Sequence, residues 1–214
     1  MSRRASPAEC PSRTRERSST ENVVVSMAEL TDVINAANGR GIPGGLPPYG
    51  GGVRDTRPLA LFDLDNTLSD AGHRQHFLRG ARKDWPGFFA AAVDDPPLAD
   101  GLALVRRTEA EGTAIGYLTG RPERCRADTA RWLAAQGLPE GPLWLRGDAD
   151  RRPARVTKLE RLRALARTRP VAFLADDDEL VCRDAEAAGF RVVRAVWGRE
   201  ATELHEAQEK DGRT

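Results

Sequence analysis

Residues 59–67 read LALFDLDNT. Four apolar residues run straight into Asp63, a single leucine separates it from Asp65, and Asn66 and Thr67 follow. A short apolar run bounded by turn-forming residues predicts a buried strand over 59–64. Period two places Asp63 and Asp65 on one side for as long as the chain stays extended. Two carboxylates that close, at the end of an apolar strand, repel each other and are poorly solvated. A hard cation between them removes the conflict, and Mg²⁺ takes oxygen ligands while keeping room for water and phosphate. A turn whose Asp and Asn bond locally is the competing reading, but such a turn has no need of an Asp inside the apolar run.

Outward from this segment, from Arg57 on, the pattern alternates. Residues 72–93 read as polar and helical, Leu98–Glu111 as a helix and TAIGYL (113–118) as a second buried strand. Pro122–Gln136 predicts a helix opened by its proline and closed by Gly137. PLWL (142–145) is a short strand and Thr157–Arg167 a helix. VAFLA (171–175) is a strand, Glu179–Ala188 a helix closed by Gly189, and RVVRAV (191–196) a last strand. Strands alternating with helices predict an α/β fold with a parallel central sheet and helices on both faces. Such sheets carry their chemistry at the carboxyl ends of the strands.

Three of those ends carry reactive groups. The second strand leads into Thr119-Gly120-Arg121, a hydroxyl and a glycine before an expected helix N-terminus, where phosphate is favoured, although taken alone the segment fits ordinary capping better. The fourth leads into Asp176-Asp177-Asp178-Glu179. One or two acids suit a helix start, but four exceed it and again point to a cation. Lys158 stands at the start of the helix between the third and fourth strands. His73 and His76 have helical i, i+3 spacing, but no further residue is placed to complete a transition-metal site.

Composition narrows the partners. The 33 basic and 32 acidic residues leave a net charge of +1, so neither a polybasic nor an acidic-tail protein is indicated. Only Lys83, Lys158 and Lys210 are lysines; the remaining basic residues are arginines. A GC-rich coding sequence accounts for that bulk excess. Arg146, Arg151, Arg152 and Arg155 cluster before the Lys158 helix, where they suit a phosphate backbone or a solvated loop. Cys10, Cys125 and Cys182 are odd in number and widely spaced, so a reducing cytoplasmic setting is expected. No apolar run approaches the length of a membrane helix. Ten of the fourteen residues at 39–52 are Gly or Pro, a linker pattern. Residues 1–57 are thus expected to be a disordered tail and linker holding one short amphipathic helix at 27–37. The main domain is expected over 58–200, with a small cap at about 69–97, and a C-terminal helix or tail over 201–214.

An aspartate pair, Thr-Gly, a lysine and a second aspartate pair, following successive strands, resemble the haloacid dehalogenase-like (HAD) superfamily of aspartyl-phosphate hydrolases. Within it the chain most resembles the phosphatase domain of phage-type polynucleotide kinase-phosphatases. That likeness rests on His73-Arg74, Asp84-Trp85, Thr119-Gly120-Arg121, Thr129-x-x-Trp132-Leu133, and Arg146 through Arg152 before Lys158. Thr119 stands for the usual Ser, Asn66 for Gly, and Asp178 for the Arg that follows the family's Asp-Asp. No P-loop occurs in the sequence, so no kinase half is expected within it.

The resemblance implies a HAD-like three-layer sandwich with a small helical cap. It implies that Asp63 is the nucleophile and Asp65 the acid/base, with Thr119 and Lys158 binding the phosphoryl oxygens. Mg²⁺ is expected on Asp63, Asp65 (through its backbone carbonyl), Asp176 and Asp177. Gly120, Arg121, His73, Arg74, Arg146, Arg151 and Arg152 are expected to bind substrate. The expected partner is a phosphorylated substrate, either a nucleic-acid 3′-phosphate end or a nucleotide or small metabolite, with neither a membrane nor a stable protein partner. A catalytically silent binding module of the same fold is the third reading; the intact Asp65 opposes it.

Overall fold

The computed structural model describes residues 55–198 and 202–211. The expected tail, its 27–37 helix and most of the linker lie outside the described residues. The strands are β1 (Leu59–Phe62), β2 (Ala114–Pro122), β3 (Leu143–Arg146), β4 (Val171–Asp176) and β5 (Val192–Arg194). They form one sheet in the order β3-β2-β1-β4-β5, every pair parallel. The helices are α1 (Trp85–Ala90), α2 (Ala99–Ala110), α3 (Arg126–Ala135), α4 (Ala154–Ala166), α5 (Glu179–Ala187) and α6 (Thr202–Asp211). This is the expected α/β sandwich with a parallel central sheet. Among the described residues, no helix is long and apolar enough to cross a membrane.

Alternation along β1 feeds two cores. Ala60 and Phe62 face one layer with Leu102 and Val105 of α2 and Trp132 and Leu133 of α3. Leu59 and Leu61 face the other, with Leu162 of α4 and Val181 and Ala185 of α5. All four β1 residues are fully buried, as a strand covered on both faces requires. Phe62 meets Phe173 of β4 edge-on, ring centres 5.5 Å apart. A third cluster lies apart: Leu78, Trp85, Phe88 and Phe89 of the cap pack against Leu204 and Ala207 of α6.

Several expected boundaries are corrected. The stretch 72–93 is not one helix but a 3₁₀ helix (Ala71–Leu78), α1 and a second 3₁₀ turn (Ala91–Asp94). Gly80, at φ +84°, breaks the first piece, and Asp84 caps α1 by accepting from Gly87 N–H. Pro122 does not open a helix: it is extended (φ −70°, ψ 156°), pairs with Arg146 and ends β2, so α3 starts only at Arg126. A proline without an N–H is tolerated at such a strand end. Helix α4 begins at Ala154, after Pro153, which sets Lys158 in its second turn rather than at its start.

Helix α2 presses on the loop after β1. A Cβ on Gly101 would stand 2.1 Å from the Thr67 carbonyl oxygen. Alanine in place of a helical glycine ordinarily stabilises by about 0.5–1 kcal/mol. Gly101→Ala should have the opposite sign and cost about 1–3 kcal/mol, because the loop must give way. Urea unfolding of the two proteins measures it; a gain in stability would show that the loop yields freely.

Candidate active site

The order β3-β2-β1-β4-β5 reverses direction at β1, which makes the crevice between the carboxyl ends of β1 and β4 a switch point. Asp63 follows β1 and Asp176 ends β4, so both open there. Asp63 N–H still bonds the Ala175 carbonyl (2.9 Å), which carries the register to the edge of the crevice. Lys158 Nζ reaches in from α4, 2.9 Å from Asp63 Oδ1 and 2.7 Å from Asp176 Oδ2. Asp177 joins them: one oxygen each of Asp63, Asp176 and Asp177 lie within 4.8 Å of one another. The donor set is three carboxylates, which suits a hard divalent cation.

The charge balance supports that fit. Burial pushes Asp63 up to about 7 against the pull of Lys158, with Asp176 and Asp65 adding to the push. Burial likewise lifts Asp176 to about 6, Lys158 opposing and Asp177 and Asp178 assisting. Asp177 is raised by burial against the pull of His205. Burial works against the Lys158 charge, but Asp176 and Asp63 outweigh it and hold the ammonium firmly protonated. One lysine does not balance the buried Asp63 and Asp176 together with the half-buried Asp177, and a divalent cation would.

Asp65 goes elsewhere. The chain does not stay extended past β1: it turns through Asn66, whose φ of 60° lies in the left-handed region that Asn and Gly adopt. Thr67, Leu68 and Ser69 N–H all return to the Leu64 carbonyl. The expected common side for Asp63 and Asp65 is therefore corrected. The Asp65 carboxylate takes Arg74 Nη2, Arg121 Nη2 and Arg121 Nε, the last at 2.9 Å. Burial opposes its charge, yet Arg121 and Arg74 hold it well below the usual carboxylate range. Its side chain is not among the three clustered donors.

A residue absent from the sequence reading closes this second group. Asp95, fully buried on its side chain, takes Arg74 at 2.7 and 2.8 Å, Arg121 at 2.8 Å, Ser69 Oγ at 2.9 Å and His73 Nε2 at 2.9 Å. Its backbone carbonyl accepts Trp132 Nε1–H at 2.9 Å. Arg74 also lies over the Phe88 ring, 4.1 Å from its centre. Arg74 and Arg121, expected to bind substrate, have both guanidiniums buried and bound to protein carboxylates. His73 and His76 take separate partners, Asp95 and the His73 carbonyl, and form no metal pair.

Thr119 and Gly120 are also placed differently from expectation. They lie inside β2, not at a helix N-terminus, where the β2–β3 register shifts between Leu118 and Pro122. Such an irregularity re-aims side chains. Here Thr119 faces a cleft shared with Lys158, while Arg121 turns to Asp65. That cleft, about 200 Å³, continues past Arg146, Gly147, Arg152 and Arg161. Arg146 is buried, which lowers its pKa to about 10. Arg152 binds Asp150 and Glu160, and Arg155 binds Asp184 and Glu209 away from the cleft. Arg151 is exposed and outside the cleft lining. Asp178, the fourth acid's neighbour, is the N-cap of α5, accepting from Leu180 and Val181 N–H.

The comparisons with known proteins agree with this geometry. The model of HAD superfamily, subfamily IIIB (acid phosphatase) matches residues 3–177. Among solved structures, a chain of the Pnkp1/Rnl/Hen1 RNA repair complex superposes with a TM-score of 0.55 and 21% identity, over 69% of this chain and 45% of that one. A second structure of that complex gives 0.56 and 22%, over 74% and 53%. The class C acid phosphatase from Bacillus anthracis with tungstate bound gives 0.51 and 16%, over 72% and 71%. The chain spans about half the length of the RNA-repair chains it matches, and at these identities the likeness is one of fold. No curated protein matches it. With the family match running across β1, Thr119, Lys158 and the Asp176-Asp177 pair, the chain belongs to the HAD superfamily, subfamily IIIB.

Proposed function

We propose that this protein is an Mg²⁺-dependent phosphomonoester hydrolase that works through an aspartyl-phosphate on Asp63 and takes polynucleotide 3′-phosphate ends. One observation carries the reading: Lys158 bridges Asp63 and Asp176 at the β1/β4 crevice, with Asp177 in the same cluster. Asp63, Asp176 and Asp177, with the Asp65 backbone carbonyl, would hold the cation. When bound it would supply the positive charge that keeps Asp63 ionised and balances the phosphoryl oxygens.

The chain's own groups do the rest. An Asp63 oxygen attacks phosphorus as the ester P–O bond breaks, and the leaving oxygen takes a proton from Asp65. Water then attacks the phosphorus of the aspartyl-phosphate, gives its proton to Asp65 and releases phosphate from Asp63. Thr119 and Lys158 line the neighbouring cleft, and Thr119 Oγ1 and Lys158 Nζ would bind the phosphoryl oxygens. With Arg74 and Arg121 in place, Asp65 is a carboxylate, the state that accepts a proton from water. For the first half it must take up a proton against both guanidiniums. Arg146 and Arg152, further along the cleft, suit a neighbouring phosphate of a strand. The fold likeness to a chain of an RNA repair complex agrees with such a substrate.

Asp63→Asn should abolish hydrolysis of an aryl phosphate and leave the protein at least as stable, because one of three crowded carboxylates is gone. Residual wild-type activity would remove Asp63 as nucleophile. Chelation with EDTA should abolish the same activity and added Mg²⁺ restore it; activity undiminished by chelation would contradict the metal reading. Across 3′-phosphorylated oligonucleotides, nucleotides and sugar phosphates, kcat/KM should be highest for the oligonucleotides. Highest kcat/KM for sugar phosphates would assign the enzyme to small metabolites.

A further inference from the structure

Helix α6 lies beyond residue 177, where the family match ends, yet it reaches the centre of the site. It is pinned from two directions. Leu204 and Ala207 are buried among Leu78, Trp85, Phe88 and Phe89 of the cap, and Leu204 N–H bonds Gln75 Oε1 at 3.1 Å. On the other side Glu209 pairs with Arg155 of α4 at 3.1 Å. Between these anchors His205 points at the carboxylate cluster, its Nε2 3.0 Å from Asp177 Oδ2.

That contact matters because of what the other cation leaves undone. Lys158 binds Asp63 and Asp176. Asp176 is steadied further by Asp178 N–H on Oδ1. Among the described residues, the one hydrogen bond to the Asp177 side chain comes from His205. Against an ionised carboxylate Nε2 must carry the proton, since both carboxylate oxygens only accept. A donor fixed on one oxygen stops the carboxylate turning and leaves the second oxygen to the cluster. Partners of this kind, one step out from a cation, govern how tightly it is held.

We propose that His205 is a positioning residue: delivered by α6, it fixes the Asp177 carboxylate in the Asp63–Asp176–Asp177 cluster and so sets the affinity of the site for a divalent cation. This rests on the metal reading above. A side chain that only glued α6 to the domain would change stability and leave cation affinity alone.

The test is direct binding of Mn²⁺ alone, followed by the loss of its free-ion electron paramagnetic resonance signal, in full-length wild type, His205→Ala and His205→Gln. The metal-free melting temperature is measured in parallel. His205→Ala should weaken Mn²⁺ binding by about 10- to 100-fold. His205→Gln, which keeps an amide donor in reach, should restore most of it, including where His205→Ala melts lower. Wild-type affinity in His205→Ala, with Mn²⁺ bound by wild type, overturns this inference and leaves the metal reading standing. No Mn²⁺ bound by wild type overturns both.

Discussion

Four buried carboxylates and the half-buried Asp177 converge at the carboxyl ends of β1 and β4, and the fold must answer each with a cation. Removing one partner from a buried pair costs about 3–5 kcal/mol where the other is left with no counter-charge. Lys158 answers two of them, Asp63 and Asp176. Arg74 and Arg121 answer Asp65 and Asp95. His205 answers Asp177. Each cation comes from a different element: α4, the cap, the β2 bulge and α6. The requirement to neutralise one crevice therefore ties together parts of the chain that are far apart in sequence.

The same requirement separates the two aspartates of the first motif. They are two residues apart, yet one lies among acids and a lysine and the other between two guanidiniums. Burial and like charges raise Asp63, while the arginines lower Asp65. The two carboxyl groups thus meet different partners, clustered acids with a lysine on one side and two guanidiniums on the other, and are shifted in opposite directions. The turn at Asn66 makes the separation possible. It bends the backbone out of the strand within one residue of Asp65, and Ser69 returns it to Asp95.

Much of this was legible in the chain itself. Runs of strand length found all five strands, and β1, β2 and β4 are apolar because they are covered on both faces. Acids and a lysine at strand ends marked the crevice, because few other uses require charge there. The rest depended on contacts the local pattern does not carry. The β2 extension to Pro122 follows from pairing with Arg146 of β3. Arg74 and Arg121 read as substrate contacts because no local signal pairs them with Asp95, which is 21 and 26 residues away. His205 stood in an expected tail, and only the packing of Leu204 and Ala207 on the cap brings it to Asp177.

The central claim is that Asp63 forms a covalent bond to phosphorus while Asp65 does not. Acid-quenching the enzyme during turnover and mapping the phosphorylated peptide by mass spectrometry tests it most directly. A hydroxylamine-labile phosphoryl group on Asp63 is the predicted result. A phosphoryl group on any other residue, His73 included, would contradict the account.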